Sequence, residues 1–301
     1  MVHREARQDV GRTPTKGVSM PNTTRAISRR AFLGMQALCL SGALIGCSQG
    51  DGGQEPVPAG PRTLDQIRTS GQLDIGMCSD NKPLSFINSR GAYDGPDQYF
   101  GLHLAGQLRV APHYVSLDPG ERYDALADGT VDVVLAQMSP DDDRSEEVAL
   151  TAPLYRLGLG VVSPKGALVE SAEQLVGIEL IACAGSFAHQ FAASVWPGVS
   201  LRTYETLSDT YAALEQGFGG ALIADEISIA AWVKKSPDFA LGMTALDEPR
   251  PIAPAVAWGQ DDLLAVVEEA VSTFISYGYR SRSYTSDVVP FVGNDYASLF
   301  A

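Results

Sequence analysis

Hydrophobic positions from Thr63 onward form short apolar runs that alternate with stretches of helical periodicity. Runs of this kind, bounded by polar or turn residues, predict buried strands. The first series predicts strands at 73–77, 114–117, 131–136 and 159–163. Between them, residues 97–108 and 121–128 have the spacing of helices.

A second series repeats the pattern. It predicts helices at 171–176, 186–195, 207–216 and 226–235. It predicts strands at 179–183, 201–204, 221–224 and 256–258. A long amphipathic helix follows at 261–277, with its apolar face formed by Leu264, Val267, Val271 and Ile275. This alternation is typical of βα units around a largely parallel sheet, and the two series predict two similar α/β lobes.

The first fifty residues indicate export. Arg29–Arg30 precede a mildly apolar stretch at 37–45, which ends in Leu-Ile-Gly-Cys at Cys47. The run is too short for a permanent membrane helix, so we interpret 1–46 as a signal peptide. Its arginine pair resembles a twin-arginine signal, and its end resembles a lipobox. We therefore expect Cys47 to be lipidated and the protein to lie at the extracytoplasmic face of the cell membrane, although a chance Arg-Arg pair is the alternative. Met1 and Met20 both remain candidate start sites.

Composition places a folded body behind a spacer. Residues 47–62 are rich in Gly and Pro and predict a flexible linker. Hydrophobic residues make up 45% of the chain, as in globular proteins. From Cys47 on, 15 Lys or Arg and 34 Asp or Glu give a formal net charge of −19, which repels nucleic acid and anionic lipid. We expect a monomer that contacts the membrane through lipid alone.

Two cysteines, Cys78 and Cys183, follow the lipidation site. We favour two free, largely buried thiols over a disulfide, because they lie far apart and on different predicted lobes. No Cys/His cluster with metal-ligand spacing is present in the sequence, so we expect no metal and no cofactor.

Several short motifs follow one another along the folded part of the chain. They are Thr-Leu-Asp-Gln-Ile at 63–67, Lys-Pro-Leu-Ser-Phe at 82–86, Gly-Pro-Asp at 95–97, Asp-Gly-Thr-Val-Asp at 128–132, Pro-Leu-Tyr at 153–155 and Gln-Leu-Val-Gly at 174–177. In order and spacing these motifs resemble the extracellular solute-binding proteins of ABC importers for polar amino acids.

The resemblance implies the type 2 periplasmic-binding fold, in which two Rossmann-like α/β lobes are joined by a two-stranded hinge and the ligand lies between them. Lobe I would be discontinuous, comprising 63–157 plus 254–295, and lobe II would comprise 164–250. The implied function is a non-enzymatic receptor that delivers an amino acid to ABC transporter permease subunits.

An α-amino acid presents a carboxylate and an ammonium, and both need partners in a dry site. A guanidinium suits the carboxylate because its fork makes two parallel hydrogen bonds. Arg144 follows the strand at 131–136, at the edge where open α/β sheets hold ligands, and the family has its carboxylate-binding arginine here. The resemblance adds Ser139 and, less firmly, Gln137. The alternative for Arg144 is a surface arginine among acidic neighbours.

Gly185-Ser186 matches the family's Gly-Thr-Thr at a helix N-terminus, where backbone N–H groups receive anions. Phe187 replaces the second threonine. Asp225 matches the family's ammonium-binding aspartate. The alternative for both Ser186 and Asp225 is a helix N-cap.

The side-chain end of the ligand is implied by fewer residues. Arg122 falls where receptors for acidic amino acids have an arginine, and Asn81 where others have an aromatic lid. We therefore expect an acidic or amide side chain, with Arg122 as an ordinary surface residue as the alternative. Phe187 and His189 are further candidates for the pocket wall.

Two other functions fit parts of the sequence. An exported enzyme on the same scaffold, similar to cyclohexadienyl dehydratases, needs a proton donor in the cleft, and Asp225 and Glu226 are the candidates. A sensor module for a membrane kinase would need a separate membrane partner.

Overall fold

The computed structural model describes residues 60–301. The predicted signal peptide, the lipidation site Cys47 and the linker up to residue 59 lie outside the described residues. Among the helices described, none is long and apolar enough to cross a membrane.

The elements alternate much as the hydrophobic pattern predicts. The helices are α1 (Leu64–Ser70), α2 (Pro96–Leu108), α3 (Arg122–Ala127), α4 (Phe187–Val195), α5 (Leu207–Glu215), α6 (Glu226–Val233), α7 (Asp261–Ser276), α8 (Tyr279–Ser283) and α9 (Val289–Val292). The strands are β1 (Gln72–Met77), β2 (Asp80–Asn81), β3 (Ser85–Ile87), β4 (Tyr93–Asp94), β5 (Ala111–Ser116), β6 (Val133–Val134), β7 (Val148–Leu150), β8 (Tyr155–Leu157), β9 (Leu159–Pro164), β10 (Glu179–Cys183), β11 (Ser200–Tyr204), β12 (Ala221–Asp225), β13 (Phe239–Met243), β14 (Arg250–Ile252) and β15 (Ala255–Ala257).

Two five-stranded sheets organise the molecule, with strand orders β5-β1-β6-β15-β7 and β11-β10-β12-β9-β13. We name the first sheet, with α1–α3 and α7, lobe I, and the second sheet, with α4–α6, lobe II. In each sheet three neighbouring strands are parallel, and the fourth strand, β15 in one sheet and β9 in the other, runs antiparallel to both of its neighbours. The expectation of a largely parallel sheet therefore misses the reversed direction of β9 and β15.

The apolar strands are buried on both faces of their sheet. In β12, Ala221 and Ile223 belong to one hydrophobic cluster, and Leu222 and Ala224 belong to the cluster on the opposite face. Because successive side chains point to opposite faces, a strand covered on both sides must be apolar throughout. This is why these segments are visible in the sequence as uninterrupted apolar runs.

Helix α7 packs with α2 over the first sheet, but its buried face differs from the predicted one. Leu263, Val267, Val271 and Phe274 are buried, whereas Leu264 and Ile275 are only partly buried. Both stripes have helical spacing, and the structure turns the helix so that Phe274 packs edge-on against Phe100 of α2.

A separate two-stranded antiparallel sheet pairs β8 with β14, with Tyr155 opposite Ile252 and Leu157 opposite Arg250. These strands immediately precede β9 of the second sheet and β15 of the first. They are the two connections between the sheets that the predicted hinge requires. A small sheet of β2, β3 and β4 extends lobe I.

Ordered contacts begin before the predicted end of the linker. Arg62, assigned above to the linker, donates from Nε and Nη2 to the carboxylate of Asp132 and from Nη2 to Asp74. The Asp132 carboxyl group is almost completely buried and also accepts from the backbone N–H of Asp74. Arg62 therefore fastens the start of the folded body to β1 and the turn before β6.

Candidate functional site

A cavity lies between the two lobes, and residues from both lobes and from the strand pair line it. The cavity is partly open to solvent. Its wall comprises Cys78, Asp80, Asn81, Pro119, Arg122, Gln137, Cys183, Ser186, Phe187, Ala188, Leu207, Ile223, Ala224, Asp225 and Arg250.

Two amides form part of the lobe I wall, and buried hydrogen bonds fix their orientation. Gln137 has φ 54°, and its Nε2 donates to Asp97 Oδ2 at 2.6 Å. Its Oε1 accepts from Asn81 Nδ2 and from the Cys78 thiol, both at 3.1 Å. Ser228 of lobe II donates to Asn81 Oδ1 at 2.6 Å, so this hydrogen-bonded chain crosses between the lobes.

Asp97 accepts a hydrogen bond at the lobe I end of this series of hydrogen-bonded side chains. Its carboxyl group accepts from Tyr155 at 2.6 Å as well as from Gln137. Burial raises the pKa of Asp97 to about 8, and the two hydrogen bonds offset only part of that rise. Tyr155 belongs to β8, so the strand pair and the cavity wall are connected through one buried carboxyl group.

The lobe II wall includes the first turn of α4. Ser186 caps this helix, because its Oγ accepts from the His189 N–H at 3.2 Å, and the hydroxyl donates to the Cys183 carbonyl at 2.7 Å. Phe187 and Ala188 follow in the first turn and line the cavity. Helix N-termini carry partial positive charge and unpaired N–H groups, so this end of the cavity favours an anion.

Asp225 and Arg250 bring opposite charges to the same wall. Asp225 ends β12, and Arg250 begins β14. Arg250 Nη2 donates to Asp225 Oδ1 at 2.7 Å, and the guanidinium lies 4.5 Å from the centre of the Phe187 ring. Arg250 is 5% exposed, and its Nε and Nη1 have no partner among the described residues.

Arg122 is buried at the cavity, so the alternative of an ordinary surface residue is wrong. Its donors are occupied by backbone carbonyls: Nε by Pro119, Nη1 by Ala136 and Gln137, and Nη2 by Gly185 of lobe II. The arginine thus joins loops of both lobes, and these contacts leave little of its hydrogen-bonding capacity for a ligand side chain.

A buried acid lies behind Arg122. Asp142 Oδ2 is 3.9 Å from Arg122 Nη2 and accepts from the hydroxyl of Tyr123 and the N–H of Ser139. Burial raises the pKa of Asp142, and Arg122 partly opposes that rise. This carboxyl group stabilises the turn that carries Ser139.

Arg144 and Ser139 lie outside the cavity. The Arg144 guanidinium donates from Nε to Glu147 at 2.8 Å and from Nη2 to Asp124 and Glu147 at 2.7 Å, and its side chain is 40% exposed. Ser139 is fully buried, and its hydroxyl accepts from the Asp141 N–H within the turn. The structure thus does not bring Arg144 together with Asp225, because two nearby carboxylates hold its side chain at the surface.

Gly185 of lobe II lies in close backbone contact with Gly120 of lobe I beside the cavity. It has φ +68°, and a Cβ there would lie 2.6 Å from Gly120 Cα and 2.7 Å from Gly120 N. Hydrogen bonds join the lobes on either side, from Ser208 N–H to Asp80 and from Asp143 N–H to Gln190. The described conformation is therefore a closed one.

Both cysteines line the cavity as free, buried thiols, as expected from the sequence. Cys78 follows β1 in lobe I, and Cys183 ends β10 in lobe II. Burial raises the pKa of each thiol well above its usual range. Of the two further residues predicted for the pocket wall, Phe187 lines the cavity. His189 is not among the lining residues, and its Nδ1 accepts from the Gly185 N–H.

The sequence interpretation missed Arg250. The available signal was a single arginine between Pro249 and Pro251, at the predicted boundary of lobe II. Glu226, a candidate proton donor for the enzyme alternative, accepts from the Ala245 N–H at 3.0 Å and is not part of the cavity wall.

Comparison with solved structures supports this architecture. The crystal structure of a solute receptor for L-cysteine from Neisseria gonorrhoeae superposes with a TM-score of 0.75 and 29% identity, covering 77% of this chain and 96% of that one. Two α/β lobes, a connecting strand pair and a charged cavity between the lobes define a type 2 periplasmic-binding protein.

The chain belongs to the bacterial extracellular solute-binding proteins, family 3, whose family model matches residues 73–285. Among named relatives, the ABC transporter glutamine-binding protein GlnH of Bacillus subtilis is 24% identical over 79% of this chain and 88% of its own length. The L-cystine-binding protein TcyJ of Escherichia coli K12 is 25% identical over 82% of this chain and 90% of its own length. Both are named as binding proteins for amino acids.

Proposed function

We propose that this protein is a non-enzymatic, extracytoplasmic receptor that binds a polar amino acid between its lobes and delivers it to an ABC transporter permease. The proposal is carried by one observation: a cavity that both lobes line and that contains a buried guanidinium paired with a partly buried carboxylate. A zwitterion needs charged partners of both signs when it leaves water.

The cavity chemistry favours an amide or other neutral polar side chain over an acidic one. Asp80 lines the wall, and Arg122 already donates to four carbonyls. The amides of Gln137 and Asn81 offer hydrogen bonds without net charge.

Lipidation at Cys47 would hold the receptor at the membrane, with residues 48–59 as a spacer. Each buried methylene of an acyl chain contributes about 0.8 kcal/mol, so more than one chain gives a lasting tether. Mass spectrometry of the protein from its own membranes should find acyl chains on Cys47, and Cys47→Ala should release the protein into the soluble fraction. Detection of an uncleaved N-terminus in the membrane-bound protein would contradict this part of the proposal.

Titration calorimetry of the purified protein against the twenty amino acids tests the receptor function. A few hydrogen bonds to ionised groups, less the cost of ordering the ligand, give about −8 kcal/mol, which is micromolar affinity. We expect one or a few neutral polar amino acids to bind and to be recovered chemically unchanged. Absence of heat with every amino acid would refute the proposal, and turnover of a bound compound would favour the enzyme alternative.

A further inference from the structure

Arg250 is a buried cation whose hydrogen-bonding capacity is mostly unused. Of its five N–H groups, those on Nη1 and Nε have no partner within residues 60–301, although the side chain is 5% exposed. Buried donors without a partner are rare in native proteins, and an unfilled ligand site is one reason for them. Arg250 is also one of the residues that line the cavity, which makes its guanidinium a candidate partner for a molecule bound there.

The position of the guanidinium is fixed on two sides. Asp225 Oδ1 accepts from Nη2 at 2.7 Å, and the Phe187 ring stacks 4.5 Å from the guanidinium carbon. A guanidinium held in this way still has unpaired donors from which a carboxylate can accept hydrogen bonds. Asp225 supplies the opposite charge beside it, so the pair presents complementary partners for the two charges of an α-amino acid.

The other two arginines near the cleft are already engaged. Arg144 is bound to Glu147 and Asp124 at the surface. Arg122 donates to carbonyls from all three of its nitrogens. Among the arginines of the described residues that approach the cavity, Arg250 is the one with unpartnered buried donors.

We propose that Arg250, on the strand pair that joins the lobes, binds the α-carboxylate of the ligand, and that Asp225 beside it binds the α-ammonium, so that Arg250 has the role that family resemblance gives to Arg144. This inference rests on the proposed receptor function. It assigns the carboxylate to the connecting strands rather than to lobe I, and it makes Arg144 a surface residue without contact to the ligand.

The test compares acid and amide forms of the ligand across matched arginine variants of the full chain. The amino acid found by calorimetry is titrated beside its α-carboxamide analogue into the wild type, R250Q, R250K and R144Q. We expect the wild type to bind the acid at least 100-fold more tightly than the amide. In R250Q the affinity for the acid should fall at least 100-fold, and the preference over the amide should shrink to a few-fold. R250K keeps the charge but not the planar fork, so it should lose affinity for the acid by a smaller factor. R144Q should bind within threefold of the wild type.

The results that would overturn the inference differ from those that would refute the receptor function. If R144Q loses the acid, or if R250Q and R250K both bind the acid as tightly as the wild type, the inference is overturned and the receptor function stands. If the wild type binds no amino acid, both the inference and the proposed receptor function are refuted.

R250K keeps a cation beside Asp225 in case R250Q fails to fold, and thermal melts identify misfolded variants. If both variants unfold, a crystal structure of the wild type with its ligand decides: carboxylate oxygens bonded to Arg250 Nε or Nη1 support the inference, and any other carboxylate partner overturns it.

Discussion

Closure of the cleft depends on the absence of a side chain at residue 185. In Gly185→Ala, the new Cβ would lie 2.6 Å from Gly120 Cα, whereas carbon atoms normally approach to about 3.5–4.0 Å. Both contacts at Gly120 are to backbone, so no flexible side chain can move away. The clash exists only when lobe II lies against lobe I. The substitution should therefore weaken the closed state without blocking the open one.

The expected loss of ligand affinity follows from the overlap between the new methyl group and the Gly120 backbone. Insertion of a methyl group into a packed contact costs about 1–3 kcal/mol after relaxation. Because the ligand binds by stabilising closure, this cost appears as a loss of affinity of roughly 5-fold to 150-fold. Titration calorimetry measures the affinity, and small-angle X-ray scattering at saturating ligand measures whether the radius of gyration still falls.

Gly177→Ala is the matched control. Gly177 also has a positive φ, +82°, but a Cβ added there would have no atom within 4 Å. Both variants introduce alanine into left-handed backbone, at a cost of about 1–2 kcal/mol in folding stability. Only Gly185→Ala should weaken binding. Equal affinity of Gly185→Ala and the wild type, or equal losses in both variants, would refute the role assigned to this contact.

Two further predictions concern buried carboxyl groups. In Asp97→Asn, the pH dependence of the unfolding free energy should change. Wild-type Asp97 stays protonated in the folded state up to about pH 8 but ionises near pH 4 in the unfolded state. The wild type should therefore lose stability relative to the variant as pH rises across this range, with a slope approaching about 1.4 kcal/mol per pH unit. Urea titrations at several pH values measure this, and a difference independent of pH would contradict it. In Arg62→Ala, the buried Asp132 carboxylate loses its hydrogen bonds from the partly exposed guanidinium, and the unfolding free energy measured in urea should fall by about 2 kcal/mol. Arg68→Ala, on the exposed face of α1, should change stability by less than about 0.5 kcal/mol, and equal losses would rule out the Asp132 pairing as the cause.

Elements buried on both faces were predictable from the sequence. Strand β10 has the predicted bounds, because burial on both sides demands an uninterrupted apolar run. Short edge strands gave no such signal. Strand β14 has three residues, one of them Pro251, and proline within a run argues against a strand unless the strand lies at an edge. The strand pair was therefore expected from family resemblance alone.

The site shows what spacing along the chain cannot supply. A motif fixes the backbone position of Arg144, but the direction of its side chain is set by Asp124 of α3, twenty residues away in sequence. Burial of Arg250 likewise depends on Phe187 and Asp225, which reach it only through the fold. Ser186 and Asp225, in contrast, end or follow strands whose positions were visible, and both line the cavity.

The two sulfhydryl groups on opposite walls give this protein a built-in reporter. Cys78 and Cys183 are hidden while the lobes meet, and separation of the lobes would expose them to a maleimide dye. The labelling rate of each cysteine, resolved by peptide mapping, would then report how often the lobes separate. Its decrease on addition of solute would report how far binding slows this opening, without any engineered probe.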